Sequence, residues 1–198
     1  MRLVVLVLTA LLLSAGAARA DGDPASDYLY TQKVFLPFDV KAPKAAQQAL
    51  IGTVEGATRA GFPIRVAVIG SAYDLGAVPS LWRKPQTYAR FLGAELAFVY
   101  KQRLLVVMPN GFGFYWKGHP TARESGVLKS VRIGAGPDGL VTGAHEAVMR
   151  LAADRGITVE AAKPAESRNT HDRLTIIIAA VALIGAALLG RAALRRRR

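Results

Sequence analysis

Three sets of residues in this sequence carry atoms suited to chemistry. The first is acidic. Asp21, Asp23 and Asp27 lie close together, and clustered carboxylate oxygens are what a hard cation such as calcium takes as ligands. No EF-hand glycine or closing glutamate follows, so the competing expectation is a mobile, solvated start. Asp27, Asp74 and Asp138 form a wider set that would hold a divalent cation only if folding gathered them. The second set is glycine-rich: Gly134-Ala135-Gly136-Pro137-Asp138-Gly139 spells G-x-G-x-x-G. A dinucleotide site needs a firm strand before that motif and a helix opening inside it. Pro137-Asp138 reads instead as a turn, with the next helix expected only near Thr142, so a loop is the expectation and no cofactor is assigned. The third set is aromatic and basic. Trp82, Arg83 and Lys84, with Tyr115, Trp116 and Lys117, form a mixture common at protein interfaces and at lipid headgroup level. Edge-strand packing with solvated lysines is the plain alternative. These six residues are the expected interaction surface.

Other catalytic signatures are missing from the sequence. His119, His145 and His171 are too far apart to share a metal by local spacing. There is no G-x-S-x-G elbow. With no cysteine, disulfides, thiol catalysis and cysteine-ligated zinc are excluded.

The elements that must position these residues follow from periodicity. Residues 21–42 read as a flexible start followed by an apolar segment that docks on the core. Pro43 opens a helix, with Ala46, Leu50, Val54 and Ala57 on one face and Gly61 as the stop. Ile64 to Gly70 is apolar on both faces, as a central strand is. A loop from Leu75 to Pro85 leads to a helix over Gln86 to Tyr100. Leu104 to Met108 is a second buried strand. Asn110-Gly111, two residues that accept positive φ, turns it into extended Phe112 to Trp116. Val127 to Ile133 is weakly alternating, strand or loop. Thr142 caps a last helix to Arg155, placing His145 and Glu146 in its first turn. Helices alternating with buried strands predict an α/β domain over residues 43–156, layered as a helix–sheet–helix sandwich.

The ends of the chain predict its location. Arg2, the apolar run Leu3 to Leu13 and Ala18-Arg19-Ala20 have the three parts of an export signal, so residues 1–20 read as a signal peptide. The small residues before Asp21 favour cleavage over an uncleaved anchor. Residues 157–173 are a polar tether. Leu174 to Gly190 is uncharged and covers about 26 Å as a helix, and snorkelling of Arg191 extends a transmembrane helix over 174–194. Residues 195–198, all arginine, form a cytoplasmic tail by the positive-inside rule. The segment before the span has no Leu-Pro-x-Thr-Gly sorting motif, which favours a permanent anchor. The expected location is the cell membrane, single-pass, with the domain outside the cytoplasm. The formal charge of +12 overstates the domain, because 18 basic and 14 acidic residues lie between Asp21 and Asp172. That balance gives no case for nucleic acid. The arginine tail suits the anionic inner leaflet.

The series resembles the TPM-domain family of exported, single-span bacterial and chloroplast proteins. The resemblance rests on the signal, the helix near Gln47 to Ala60, Gly61-Phe62-Pro63-Ile64 entering a strand, Tyr88-Ala89 in the next helix, Leu104 to Val107 entering a hairpin, and the closing span. It covers about Pro43 to Arg155. It implies phosphate-ester hydrolysis, divalent-cation binding through acidic loops, or assembly and repair of membrane complexes. Where similar proteins have an acidic or Asn-Gly-rich loop before the third strand, this chain has Lys101-Gln102-Arg103, which repels a cation. The expectation is therefore a binding or assembly module, without cofactor, that contacts another envelope or membrane protein. A cation-dependent phosphatase-like hydrolase using Asp27, Asp74 and Asp138 is the alternative. An inward-signalling sensor has only a short cytoplasmic tail to work with.

Overall fold

From Asp23 to Ala153 the chain alternates helices and strands in the computed structural model, which describes residues 22–37 and 42–160. Helix α1 (Pro24–Thr31) leads to β1 (Val34–Phe35). Then follow α2 (Lys44–Arg59), β2 (Ile64–Val68), α3 (Pro85–Glu95), β3 (Arg103–Met108), β4 (Gly111–Tyr115), α4 (Ala122–Leu128) and α5 (Gly136–Ala153). The expected signal peptide, most of the tether, the transmembrane helix and the arginine tail lie outside the described residues. No described helix is long and apolar enough to cross a membrane.

The protein is mixed α/β, with one four-stranded sheet in the order β1-β2-β3-β4. β1, β2 and β3 are parallel, and β4 returns antiparallel to β3. Strand side chains alternate between faces, so each strand feeds two cores. Val66, Val68, Leu105, Val107 and Phe114 meet Leu50, Val54 and Ala57 of α2 and Ala144, Val148 and Leu151 of α5. Ala67, Leu104, Val106 and Met108 meet Leu29 of α1 and Tyr88, Ala89 and Leu92 of α3. Helices therefore cover both faces, which is why β2 and β3 read as near-continuous apolar runs. α2 and α3 lie on opposite faces although β1, β2 and β3 are neighbours in sequence order. The two crossovers thus have opposite hands, one of them the rare left-handed kind.

Four sequence expectations change. The start at residue 22 is built into the core, because Asp23 caps α1, Ala25 and Leu29 are fully buried, and β1 extends the sheet. Val127 to Ile133 is the end of α4 and then coil, with no strand. The last helix begins at Gly136, six residues before Thr142. Pro137 suits a first turn because its missing N–H has no intrahelical partner to lose. His145 is consequently mid-helix. The β3–β4 hairpin forms, but Met108 pairs with Gly111, so Pro109 and Asn110 hold the central positions. Pro109 presets φ there, and the positive φ falls to Gly111 alone, at 146°.

α3 lies unusually close to β4. A Cβ on Gly113 would overlap the carbonyl of Pro85, and one on Gly93 would overlap the ring of Tyr115. The side-chain amide of Gln86 closes the same contact. Its Nε2 donates to the Phe114 carbonyl at 2.9 Å, and its Oε1 accepts from the Phe114 N–H at 3.0 Å. The open edge of β4 is thereby partly satisfied by a side chain.

Candidate functional site

In open α/β sheets, ligands bind where parallel strands end, because the connecting loops diverge there. Here that edge lies beyond Val68 and Met108. The segment after β2 is pinned by Asp74, whose Oδ2 accepts from the N–H groups of Gly70 and Ser71, both at 2.8 Å. The tight turn leaves Gly76 touching Gly22 and Pro24, which docks the start of α1 on this loop. The chain then reaches Arg83, a non-glycine residue at φ 59°, whose carbonyl accepts from Asn110 Nδ2 at 2.7 Å.

Beside the hairpin is a cleft of about 540 Å³, walled by Pro109, Phe112, Leu128 and Ile133 and offering polar groups from Gln86, Asn110, Ser125 and Lys129. A second hollow of about 340 Å³ shares Pro109 and Ile133 and is closed by Gly70 and residues 134–137. α5 opens here with no side-chain cap, and exposed Asp138 sits in its first turn. The helix does open inside the G-x-G-x-x-G motif, against expectation. Gly134 and Gly139 pack so closely that a Cβ on Gly139 would overlap Gly134. Residues 131–134 before it are coil and outside the sheet, so the strand that a dinucleotide fold requires is missing there.

The predicted carboxylates are not brought together. Asp27 is exposed on α1, Asp138 is exposed on α5, and Asp74 is fully buried holding its loop. Among the described residues no three His, Asp or Glu side chains converge as a metal site would need. Asp23 is no mobile calcium ligand. Its Oδ1 accepts from the Tyr88 hydroxyl at 2.6 Å and from the Ala25 N–H at 3.3 Å. Burial pushes its carboxyl from 3.8 up to about 6, opposed by the Tyr88 hydrogen bond. Burial, reinforced by Asp23, keeps the Tyr88 hydroxyl protonated far above its usual range. Asp21 lies outside the described residues.

The six-residue aromatic and basic surface is divided. Arg83 stands beside the hairpin at the strand-end edge, and Trp82 packs on the α3 face. Trp116 follows the last residue of β4, about 17 Å away at roughly 3.4 Å per residue. Tyr115 packs on the α3 face and Trp116 on the opposite one.

Around Trp116, at the edge where β2 and β3 begin, the structure assembles a second cluster. The Arg103 guanidinium lies between the rings of Phe62 and Trp116, 4.3 and 4.0 Å from their centroids. Arg155 is 5.8 Å from the Trp116 ring and pairs with Glu124, which is buried. Arg65 lies 4.1 Å over Tyr100, whose hydroxyl donates to the Arg103 carbonyl at 3.1 Å. Burial lowers the pKa of both Arg65 and Arg103. His119 stacks on Trp116 with centroids 3.8 Å apart. His145 Nδ1 is 2.8 Å from Thr53 Oγ1 and ties α5 to α2, while His171 lies outside the described residues. Sequence reading missed Arg65, Arg103 and Arg155. The available signal was a single arginine at the head of each of two otherwise apolar strands. Comparison with family models, with curated proteins and with solved structures returns no match to this chain.

Proposed function

We propose that the protein is a membrane-anchored extracytoplasmic binding or assembly module whose strand-end cleft receives a segment of another envelope or membrane protein. The observation that carries the reading is the cleft. Apolar walls from Phe112, Leu128 and Ile133 stand beside amide, hydroxyl and ammonium groups, a pattern suited to holding a chain segment by both kinds of contact. Lys129 lines it, and Arg83 and Lys84 stand exposed near the hairpin, so a segment carrying acidic side chains fits best. The helix–strand–helix–strand–strand–helix run from α2 to α5 supports the TPM-like assignment, with α4 inserted before α5. The anchor at 174–194, the outside location of the domain and the cytoplasmic C-terminus rest on the sequence.

A photo-crosslinker at Asn110 of the full chain should capture a discrete envelope protein, and Lys129→Glu should remove that adduct. The same adduct in both forms would overturn the assignment of the cleft. Turnover of phosphate esters with Mg²⁺, Ca²⁺ or Mn²⁺ would move the protein to the phosphatase-like class instead. Release of the intact chain by carbonate, or an external reporter signal fused after Arg198, would remove the anchor.

A further inference from the structure

Phe98 is the most exposed large apolar side chain described, at 96%. It ends the 3-10 turn Leu96–Phe98 that carries α3 toward β3, so it stands at the edge where the strands begin. Val99 beside it is also exposed. Around this tip are Lys101 and Lys117, both exposed, and Arg65 and Arg103. None of the four has a carboxylate partner among the described residues, since the ion pairs found there use Arg123, Arg150 and Arg155. The nearby acids Glu124 and Asp154 are taken by Arg155 and Arg123, while Glu95 at the end of α3, Asp27 on α1 and Glu160, where the described chain leaves, are exposed. The described chain leaves at the same edge. Val159 is buried in the core, and the carbonyl of Glu160 lies against Gly56 in the last turn of α2, the turn that leads to Phe62 and β2. Only residues 161–173 separate that point from the apolar run beginning at Leu174.

We infer that this edge docks on an anionic lipid surface, with Phe98 inserting at headgroup depth and Lys101, Lys117, Arg65 and Arg103 meeting lipid phosphates. The inference rests on the membrane-anchored reading above. A protruding aromatic among cations, on the end from which the chain departs, matches a charged bilayer surface better than a protein groove. A protein partner would be expected to meet a broader apolar patch. Docking here would turn the strand-end cleft away from the membrane and hold it open to partners.

The sequence has no cysteine, so one introduced thiol gives one label. Val99→Cys carrying an environment-sensitive fluorophore, in the full chain reconstituted into vesicles, places a probe beside an intact Phe98. Tyr73→Cys, 72% exposed at the opposite edge, is the control. In phosphatidylglycerol-containing vesicles the probe at 99 should shift to the blue and resist an aqueous quencher, and the probe at 73 should do neither. Pure phosphatidylcholine should abolish the difference, as should Phe98→Asp. Lys101→Glu with Lys117→Glu should weaken the shift by roughly fivefold or more per charge. A probe at 99 that stays aqueous in carbonate-resistant, phosphatidylglycerol-bound protein overturns the docking and leaves the anchor standing. If carbonate releases the chain, the anchor fails. Flotation of the released chain with phosphatidylglycerol vesicles would then still support docking, and its absence would overturn that too.

Discussion

Where β2 and β3 end, the surface is made largely of main chain: the Gly70–Ser71 amides held by Asp74, the Pro109–Asn110 turn, and the glycines at 134, 136 and 139. Where the same strands begin, it is made of long side chains: Arg103 between Phe62 and Trp116, Arg65 over Tyr100, and Arg155 on Glu124. Turns leave hollows and unpaired backbone groups. Stacked guanidinium and aromatic planes fill space and leave charge outward. One end is therefore suited to enclosing a ligand and the other to resting against a surface.

Both ends rest on α3, so the largest loss comes from displacing that helix. Gly113→Val pushes a side chain into the Pro85 carbonyl and lifts α3 from β4, and α3 links the two edges. We expect a loss of about 3 kcal/mol or more, read as a lower denaturation midpoint. Gly126→Ala in α4 has open space around its Cβ and should instead stabilise by about 0.5 kcal/mol.

The strand-end edge should depend on pH through Asp23. Asp23 binds its proton more tightly folded than unfolded, about 6 against 3.8. Its extra stability is therefore complete below pH 3.8, falls as pH rises through about 6, and is absent above. The difference corresponds to roughly 2–3 kcal/mol. Urea midpoints measured from pH 4 to 7 should show the decline, and Asp23→Asn should flatten it. An unchanged slope in that variant would mean another group is responsible.

Trp116→Ala tests the strand-start edge. The side chain is half-buried and covers Arg103, so we expect a loss of about 2 kcal/mol, below the cost of emptying a fully buried site. A loss under about 0.5 kcal/mol would show that the stack is solvated decoration.

The two ends also differed in how readable they were. Pro109-Asn110-Gly111 announced its turn, because turn chemistry is local and each residue's conformational preference acts within a few positions. The central strands were legible for the same kind of reason, since burial on both faces leaves a continuous apolar run. The start of α5 was misplaced because Pro137 serves equally in a turn and in a first helical turn. The strand-start cluster was not legible. Phe62, Arg65, Tyr100, Arg103, Trp116, Glu124 and Arg155 come from five separate stretches, and only the sheet register and the packing of α4 and α5 bring them together. Asp23 and Tyr88 were missed on the same ground, being 65 positions apart. The division of Trp82 from Trp116 follows from register too, because an antiparallel β4 carries Trp116 away from the turn that Arg83 flanks.

The smallest effect should come from the turn itself. Asn110 donates to the Arg83 carbonyl while exposed to water, so Asn110→Ala exchanges that bond for a solvent one at a cost of about 0.5–1 kcal/mol. Arg83→Gly acts on the same junction from the other side. Glycine relieves the left-handed conformation at φ 59°, worth about 1 kcal/mol, but gains freedom in the unfolded chain of similar size. The net change should stay within about 0.5 kcal/mol by thermal unfolding. If both variants behave so while Trp116→Ala costs several times more, the cleft edge can change its residues without losing the fold, as a recognition surface requires. A large loss from Arg83→Gly would show instead that this turn bears on the core, and the contrast between the two edges would have to be redrawn.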